Sequence, residues 1–459
     1  MNFSRSLDVV AEPDVLVVGA GCAGTVAAIA AARQGADTMV VERSGFAGGY
    51  ITNVVGASLD GFVDLRSGLP VVGGVVFDLA RQAAVTEGAA VTDWAQTRFR
   101  FNGEVGQMRE VMDRAYIRFD IERFKLAADR LMTEAGVRIL YHTVVADALT
   151  EGDRVDAVVL GNKAGLTAVK PKTVVDASGD ADVAAFAGAP FEVSDAPQPM
   201  SLHFRVGHLQ PTLAMREACG RVLAQAHADG RLPLYGGPWM AQFAADDLYF
   251  NATRIRGNPI DPQDLSQAEI RGREDARLMF DLFKEHIPEF RDAYLAGTGP
   301  TVGVRESRRI RGETTLRAAD IETQRECPDV ICLGGWWLDR HPSGKSGYHS
   351  HHMVRPYDIA YGTLVPQTLS NVWVAGRCHA AEPAALASSR VTVTCMGMGQ
   401  AAGTAAAMAA RSGKGAQDLD VAALQGVLLD EGAIILERAQ QVRRVGDEAD
   451  TVSLPSASR

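Results

Sequence analysis

Apolar positions form short unbroken runs toward both ends of the chain and mixed, interrupted runs between them. Asp14 to Val18 reads DVLVV, the pattern of a strand buried on both faces. It runs into Gly19-Ala20-Gly21-Cys22-Ala23-Gly24. The alanine-rich stretch from Thr25 to Gln34 has neither Pro nor Gly and predicts a helix, which Gly35 ends. Asp37 to Val41 predicts a second buried strand, closing on Glu42.

The same alternation resumes after a gap. Asp120 is suited to cap a helix running to about Ala135, and Gly136 ends it. Val137 to Tyr141, Val144 to Leu149 and Val155 to Leu160 predict strands, the last two joined by a turn over Thr150 to Asp153. Val174-Val175-Asp176 leads into a glycine turn at Ala177-Ser178-Gly179-Asp180. Asn371 to Val374 predicts another strand, ending at Gly376 and Arg377. Val393 to Gln400 then precedes the helical run AAGTAAAMAA. Two segments, 56–118 and 198–355, interrupt this pattern and hold most of the Trp, Pro and His residues. They predict a mixed α+β substrate-binding cap. Residues 1–55, 119–197 and 356–445 predict a discontinuous α/β nucleotide-binding domain, a parallel sheet with an inserted β-hairpin. Residues 446–459 form a polar tail.

Composition narrows the class. At 459 residues, 47% apolar and 22% charged, the chain is a globular protein of two or three core-sized units. A formal charge of -10 repels phosphate backbones, so nucleic acid is not an expected partner. It does not exclude an anionic substrate, because local arginines can override a global charge. The N-terminal residues carry no long apolar run and no twin arginine, and the stretch Gly397 to Ala410 is too short to span a bilayer. A cytoplasmic enzyme without a membrane span is the expectation, with homo-oligomerisation left open. The six cysteines, Cys22, Cys219, Cys327, Cys332, Cys378 and Cys395, form no CxxC pair and offer no metal framework.

The glycine loop carries specific chemistry. Gly19 permits a tight turn, Gly21 lets the backbone approach a pyrophosphate, and Gly24 lets the helix pack on the strand. Free N–H groups and the positive end of the helix dipole then face the anion. Glu42, about 20 residues on, is placed to accept hydrogen bonds from ribose hydroxyls. The loop alone does not choose between NAD and FAD. The continuation ERSGFAGGYIT does: it resembles the FAD-dependent oxidoreductases of the glutathione-reductase-like two-dinucleotide-fold group. That resemblance implies FAD, with Arg43, Gly48 and Gly49 along the diphosphate and toward the flavin beside Ala20, Cys22 and Ala23. DASGDADVAAFAGAPF is similar to bacterial FAD-dependent oxidoreductases related to fumarate-reductase and heterodisulfide-reductase flavoproteins. It implies that Val145 meets the adenine through its backbone and that Ala177, Ser178 and Gly179 line the nucleotide. In the C-terminal third it implies a flavin-facing helix start involving Gly376, Arg377, Met396, Gly397, Gly399 and Gln400. The resemblance spans about Asp14 to Gly413 with gaps, weakest between Val206 and Thr301.

The substrate side is less defined. Trp336 to His341 and Tyr348 to His352 form the densest polar cluster. On a strand His349 and His351 share a face, but no well-placed acid accompanies them, so no metal is expected. Proton transfer by His349 or His351, with His341 and Tyr348 beside them, stands against ordinary loop histidines. In VRESRR, Arg305 and Arg309 face one way if the run is a strand, as substrate anchors or as partners of Glu306 and Asp339. Arg390 is a third candidate anchor, and Asn251 to Arg254 a pocket wall. No second glycine loop and no redox cysteine pair is visible. The expected reaction is hydride transfer between a small organic substrate and flavin N5, with an external electron acceptor. A flavin monooxygenase and a non-catalytic FAD-binding subunit are the alternatives. Cys378 and His379 are near enough to Arg377 to raise covalent flavin attachment.

Overall fold

The computed structural model describes residues 6–56, 59–64, 67, 69–83, 120–210, 212–244, 246–347 and 354–452. The glycine loop sits on a five-stranded sheet in the order Val372–Val374, Thr173–Asp176, Val15–Val18, Thr38–Val41, Arg138–Leu140. All four pairings are parallel. Both faces are covered, as a parallel sheet requires. Val15, Val17, Val40 and Val175 face one core with the helices, while Leu16, Val18, Met39, Val41 and Val174 face another.

That second core is closed by an antiparallel meander, Val144–Glu151, Arg154–Asn162 and Gly165–Val169. The hairpin expected from the sequence therefore gains a third strand, and Val9–Ala11 adds to it in parallel. Ala148, Val155, Val158 and Leu160 supply its buried face. Asp120 caps the helix Ile121–Glu134, its carboxylate accepting from the amides of Glu122 at 2.7 Å and Arg123 at 3.4 Å.

The helix Cys22–Arg33 packs along the helix Thr392–Ser412 at backbone contact. A Cβ on Gly399 would lie 2.1 Å from the Ala23 carbonyl oxygen, and one on Gly403 2.1 Å from that of Ala27. The second helix begins at Thr392, nine residues before the alanine-rich run that the sequence marks as its start. Val393, Thr394 and Cys395 are buried against neighbours, so packing overrides their modest helix propensity.

A second sheet is antiparallel: Tyr235–Ala244, Asp247–Thr253, Phe204–Gly207, Tyr294–Thr298 in that order. The helices Leu213–Ala228 and Pro262–His286 accompany it. Phe204, Val206, Leu248, Phe250 and Ala252 enter a separate core with Phe283 and Phe290. Phe204 and Phe250 pair across the strands with ring centroids 5.0 Å apart. The strand pair Val330–Gly334 and Tyr357–Ala360 instead joins the core of the nucleotide-binding unit. Among the described residues no helix is long and apolar enough to cross a membrane.

Candidate active site

The helix Cys22–Arg33 starts at Gly21, with no side-chain cap and no acid in its first turn. Its leading amides have no intrahelical acceptor by construction. A Cβ placed on Gly21 would meet nothing nearer than the Gly49 Cα at 3.8 Å. The surrounding glycines are used differently. A Cβ on Gly24 would sit 1.8 Å from the Gly19 carbonyl oxygen, and Gly19 itself has φ +89 beneath Ala177. The turn is thus closed below and open above, which fits a diphosphate.

Glu42 is buried, and both carboxylate oxygens hold the loop. Oε2 accepts from the Ala20 amide at 2.8 Å and Oε1 from the Ser44 amide at 2.8 Å. Each oxygen keeps lone-pair capacity for a ribose hydroxyl. The Gly48 amide donates to the Ala20 carbonyl at 2.8 Å, and the Cys22 thiol to the Gly48 carbonyl at 3.2 Å. Thr143 donates to the Glu42 carbonyl at 3.0 Å, which brings the strand carrying Val145 beside the same acid. Ala20, Gly21, Cys22, Ala23, Gly24, Glu42, Gly48 and Gly49 are therefore assembled around one turn, and Arg43 is exposed beside it.

Ala177 and Gly179 continue this surface. Asp180 is held by Arg377 at 2.8 Å and by the Ser307 hydroxyl at 2.6 Å. Burial opposes its charge, but Arg377, Ser307 and Arg43 together hold its carboxyl below the ordinary range. Ser178 is tied down by Asp176, its hydroxyl donating at 2.6 Å. Arg377 also bonds Ser307, and Gly376 takes φ +94 where the strand turns.

Two expectations need correction. Met396, Gly397, Gly399 and Gln400 lie inside the helix Thr392–Ser412, so their amides are not the free ones. Gly399 faces Ala23, Gly397 faces Cys332, and Gln400 accepts from the Val75 amide at 3.3 Å. The uncapped first turn is Thr392, Val393 and Thr394. Arg305 and Arg309 also do not share a face. The strand there is only Arg309–Ile310, and the residues before it fan out. Arg305 turns to the cap, Glu306 accepts from Gln198, Ser307 and Arg308 reach Asp180 and Asp182, and Arg309 reaches Ser194.

Where the segment after Glu42 meets the cap sheet, polar side chains converge in a buried cluster. Arg305 donates to the Pro199 carbonyl at 2.6 Å, the Ser201 hydroxyl at 2.8 Å and Asn251 Oδ1 at 3.4 Å. Arg254 donates to the same Ser201 oxygen at 2.8 Å and the same Asn251 oxygen at 2.8 Å. Arg305 and Arg254 are 8% and 6% exposed as whole residues, so this is a largely desolvated pair of like charges. Arg390 joins from the turn before Thr392, donating to the Asp339 carbonyl at 3.1 Å and to Gln198 at 3.4 Å. Asp339 Oδ2 lies 3.7 Å from Arg390 and 3.2 Å from His341 Nε2. Burial lowers the Arg305 pKa well below its usual range; Arg254 and Arg390 lower it further, against Asp339 and Tyr50. Burial likewise brings Arg254 down to about 10.

Two imidazoles complete the cluster. His203 stacks on Tyr249 at 5.7 Å and meets Tyr50 edge-on at 5.7 Å. Burial, then Arg305 and Arg254, lower its pKa to about 3. Burial and Arg305 also lower that of His341, so both rings are neutral at physiological pH. Arg305, Arg390 and His341, three separate candidates in the sequence, are thus brought together. Tyr348, His349 and His351 lie outside the described residues. Asp339 is the ion-pair partner that the sequence offers, here facing Arg390, whereas His203, Tyr50 and Gln198 are additions that the sequence does not mark as site residues. The signal for one face was present: in DLYFNAT, Leu248, Phe250 and Ala252 face the cap core, leaving Tyr249, Asn251 and Thr253 for the other side. Cys378 and His379 are fully buried, and His379 Nε2 bonds the Ser389 hydroxyl at 2.8 Å, away from any open surface.

Among curated proteins no sequence matches this chain. Solved structures with a similar outline include a geranylgeranyl bacteriochlorophyll reductase-like protein from Thermoplasma acidophilum, at 12% identity and TM-score 0.47, covering 96% of this chain and 91% of that one. The flavin-dependent brominase Bmp2 gives 16% identity and TM-score 0.46, over 96% and 89%. The anhydrotetracycline hydroxylase OxyS from Streptomyces rimosus gives 13% and 0.43, over 96% and 70%. Similarity this low carries no argument about chemistry. The family profile described as FAD dependent oxidoreductase matches residues 14–428, nearly the whole chain. The open turn at Gly21, the acid at Glu42 and this match agree: the chain belongs to the FAD dependent oxidoreductase family, and its cofactor is FAD.

Proposed function

We propose that the chain moves a hydride between a small organic substrate and FAD and passes the electrons to an external acceptor. The observation that carries this is the buried cluster of Arg254, Arg305, Arg390, His203, His341 and Tyr50 between the segment after Glu42 and the cap sheet. Bound FAD supplies a two-electron acceptor; the protein supplies orientation, exclusion of water and proton transfer. The amides of Gly21 to Gly24 hold the diphosphate, and Glu42 the ribose. Arg305 and Arg254 are locked by Ser201 and Asn251, so they can fix a substrate without rearranging. A neutral imidazole can take the proton that leaves with the hydride. His349 and His351 are the candidates from the sequence; His203 and His341 line the described site, where burial and Arg305 hold them as weak bases. The post-Glu42 segment and the ASGDAD turn further support a place near the glutathione-reductase-like two-dinucleotide-fold group.

The test is anaerobic. Purified yellow protein is mixed with candidate donors without oxygen, and the visible flavin absorbance is followed. Bleaching by an organic donor alone supports the reading. Bleaching only by NAD(P)H, followed by oxygen consumption, shows a monooxygenase instead. A flavin that no donor reaches shows a non-catalytic subunit.

A further inference from the structure

We infer that the substrate is a small organic acid, bound as its carboxylate by the converging guanidiniums of Arg254, Arg305 and Arg390. This rests on the cluster being the substrate site. Arg254 and Arg305 share two neutral oxygens, those of Ser201 and Asn251. The carbonyls of Thr253 and Pro199, which accept from Arg254 and Arg305 as well, are neutral too. Two cations are thereby pressed together, nearly dry, by groups that do not cancel their charge. That arrangement is unfavourable alone and becomes favourable when an anion joins it.

Arg390 adds a third positive charge. Its Nε is buried and has no hydrogen-bond partner among the described residues. Asp339 is the carboxylate acting on Arg254 and Arg305, and it is already engaged by His341 and Arg390. Asp60 acts on Tyr50, and the Glu306 carboxylate, bonded by Gln198, acts on Arg309. The neutral rings of His203 and His341 add no charge of either sign. Among the described residues the cluster therefore keeps a positive surplus at a place where burial makes charge expensive. A carboxylate meets the forked donors of arginine in two parallel bonds, which a lone hydroxyl or amide cannot match. The overall charge of -10 makes this local reversal a property of the cluster, not of the surface.

Calorimetric titration of the FAD-replete protein with succinate, propionate and succinamide tests the inference. At least one acid is expected to bind about tenfold or more tightly than the uncharged diamide, with a shift of the flavin spectrum. Arg305→Gln is expected to remove that preference, Arg305→Lys to restore part of it, and the exposed cap-helix variant Arg277→Gln to leave it unchanged. Equal binding of acids and diamide, or no binding of either, by folded wild-type protein overturns the inference whatever the variants do. The hydride-transfer reading fails separately, when no donor of any charge bleaches the flavin.

Discussion

The two halves of the candidate site are built by opposite means. Around Gly19 to Gly24 the working groups are backbone amides, and side chains matter mainly by being absent. A Cβ at Gly24 would collide with the Gly19 carbonyl at 1.8 Å, whereas one at Gly21 would meet open space. Around Arg305 the working groups are side chains drawn from Tyr50, His203, Asn251, Arg254, Asp339 and Arg390, and the backbone only presents them. The nucleotide half should therefore resist added carbons and tolerate polar exchange. The cap half should do the reverse.

The largest effect is expected from Gly24→Val. The obstructing atom is backbone, so the loop must break, and the variant should purify without visible flavin absorbance and unfold well below the parent. Retention of a full flavin spectrum would break the comparison. Gly403→Val comes next. Its first added carbon would lie 2.1 Å from the Ala27 carbonyl, and the two helices must separate. Overpacking of this kind costs about 3 kcal/mol, read as a lowered thermal midpoint.

A smaller effect separates packing from charge. Burial depresses the His379 pKa from 6.5 to about 3, with a further push from Arg309. Between those values the unfolded chain binds a proton that the folded chain refuses. Stability rises with pH across the window: it is fully present above 6.5 and lost as pH falls toward 3. His203 acts in the same direction. His379→Gln should flatten the dependence, so that its thermal midpoint falls less than the parent's between neutral pH and about pH 4.5. An unchanged slope would show that His379 is not held neutral. The smallest effect belongs to Cys22→Ser. The hydroxyl can replace the thiol that donates to Gly48 at 3.2 Å, so the loss should stay below about 1 kcal/mol, with flavin retained in full.

This contrast also explains what the sequence reveals. Gly19, Gly21, Gly24 and Glu42 are legible because one strand–turn–helix unit fixes their spacing within about 20 residues. The strands at Val15, Thr38, Thr173 and Val372 are legible as short, mostly apolar runs, because a parallel sheet hides both faces of them. The start of the helix at Thr392 is not. Val393, Thr394 and Cys395 are weak helix formers, and only their burial against neighbouring elements makes them helical. The fan of VRESRR is hidden for a similar reason: each side chain follows a separate partner, Ser201, Gln198, Asp180 or Ser194, and none is near in sequence. His203 and Tyr50 meet at 5.7 Å although about 150 residues separate them. No local period records that contact.

Ala23 opposes Gly399 and Ala27 opposes Gly403, so residue numbers rise together along both helices and their axes run the same way. Two peptide dipoles lying side by side in one direction repel, and each leaves about half a positive charge at its beginning. Thr392 starts about six residues, roughly 9 Å, ahead of Cys22, so the two positive ends point one way but are staggered; neither first turn carries an acid, and glycine opens the one at Cys22. A diphosphate resting there relaxes a tension that the chain has built into itself. The empty protein should accordingly gain heat resistance from pyrophosphate alone, before any ring or sugar is present.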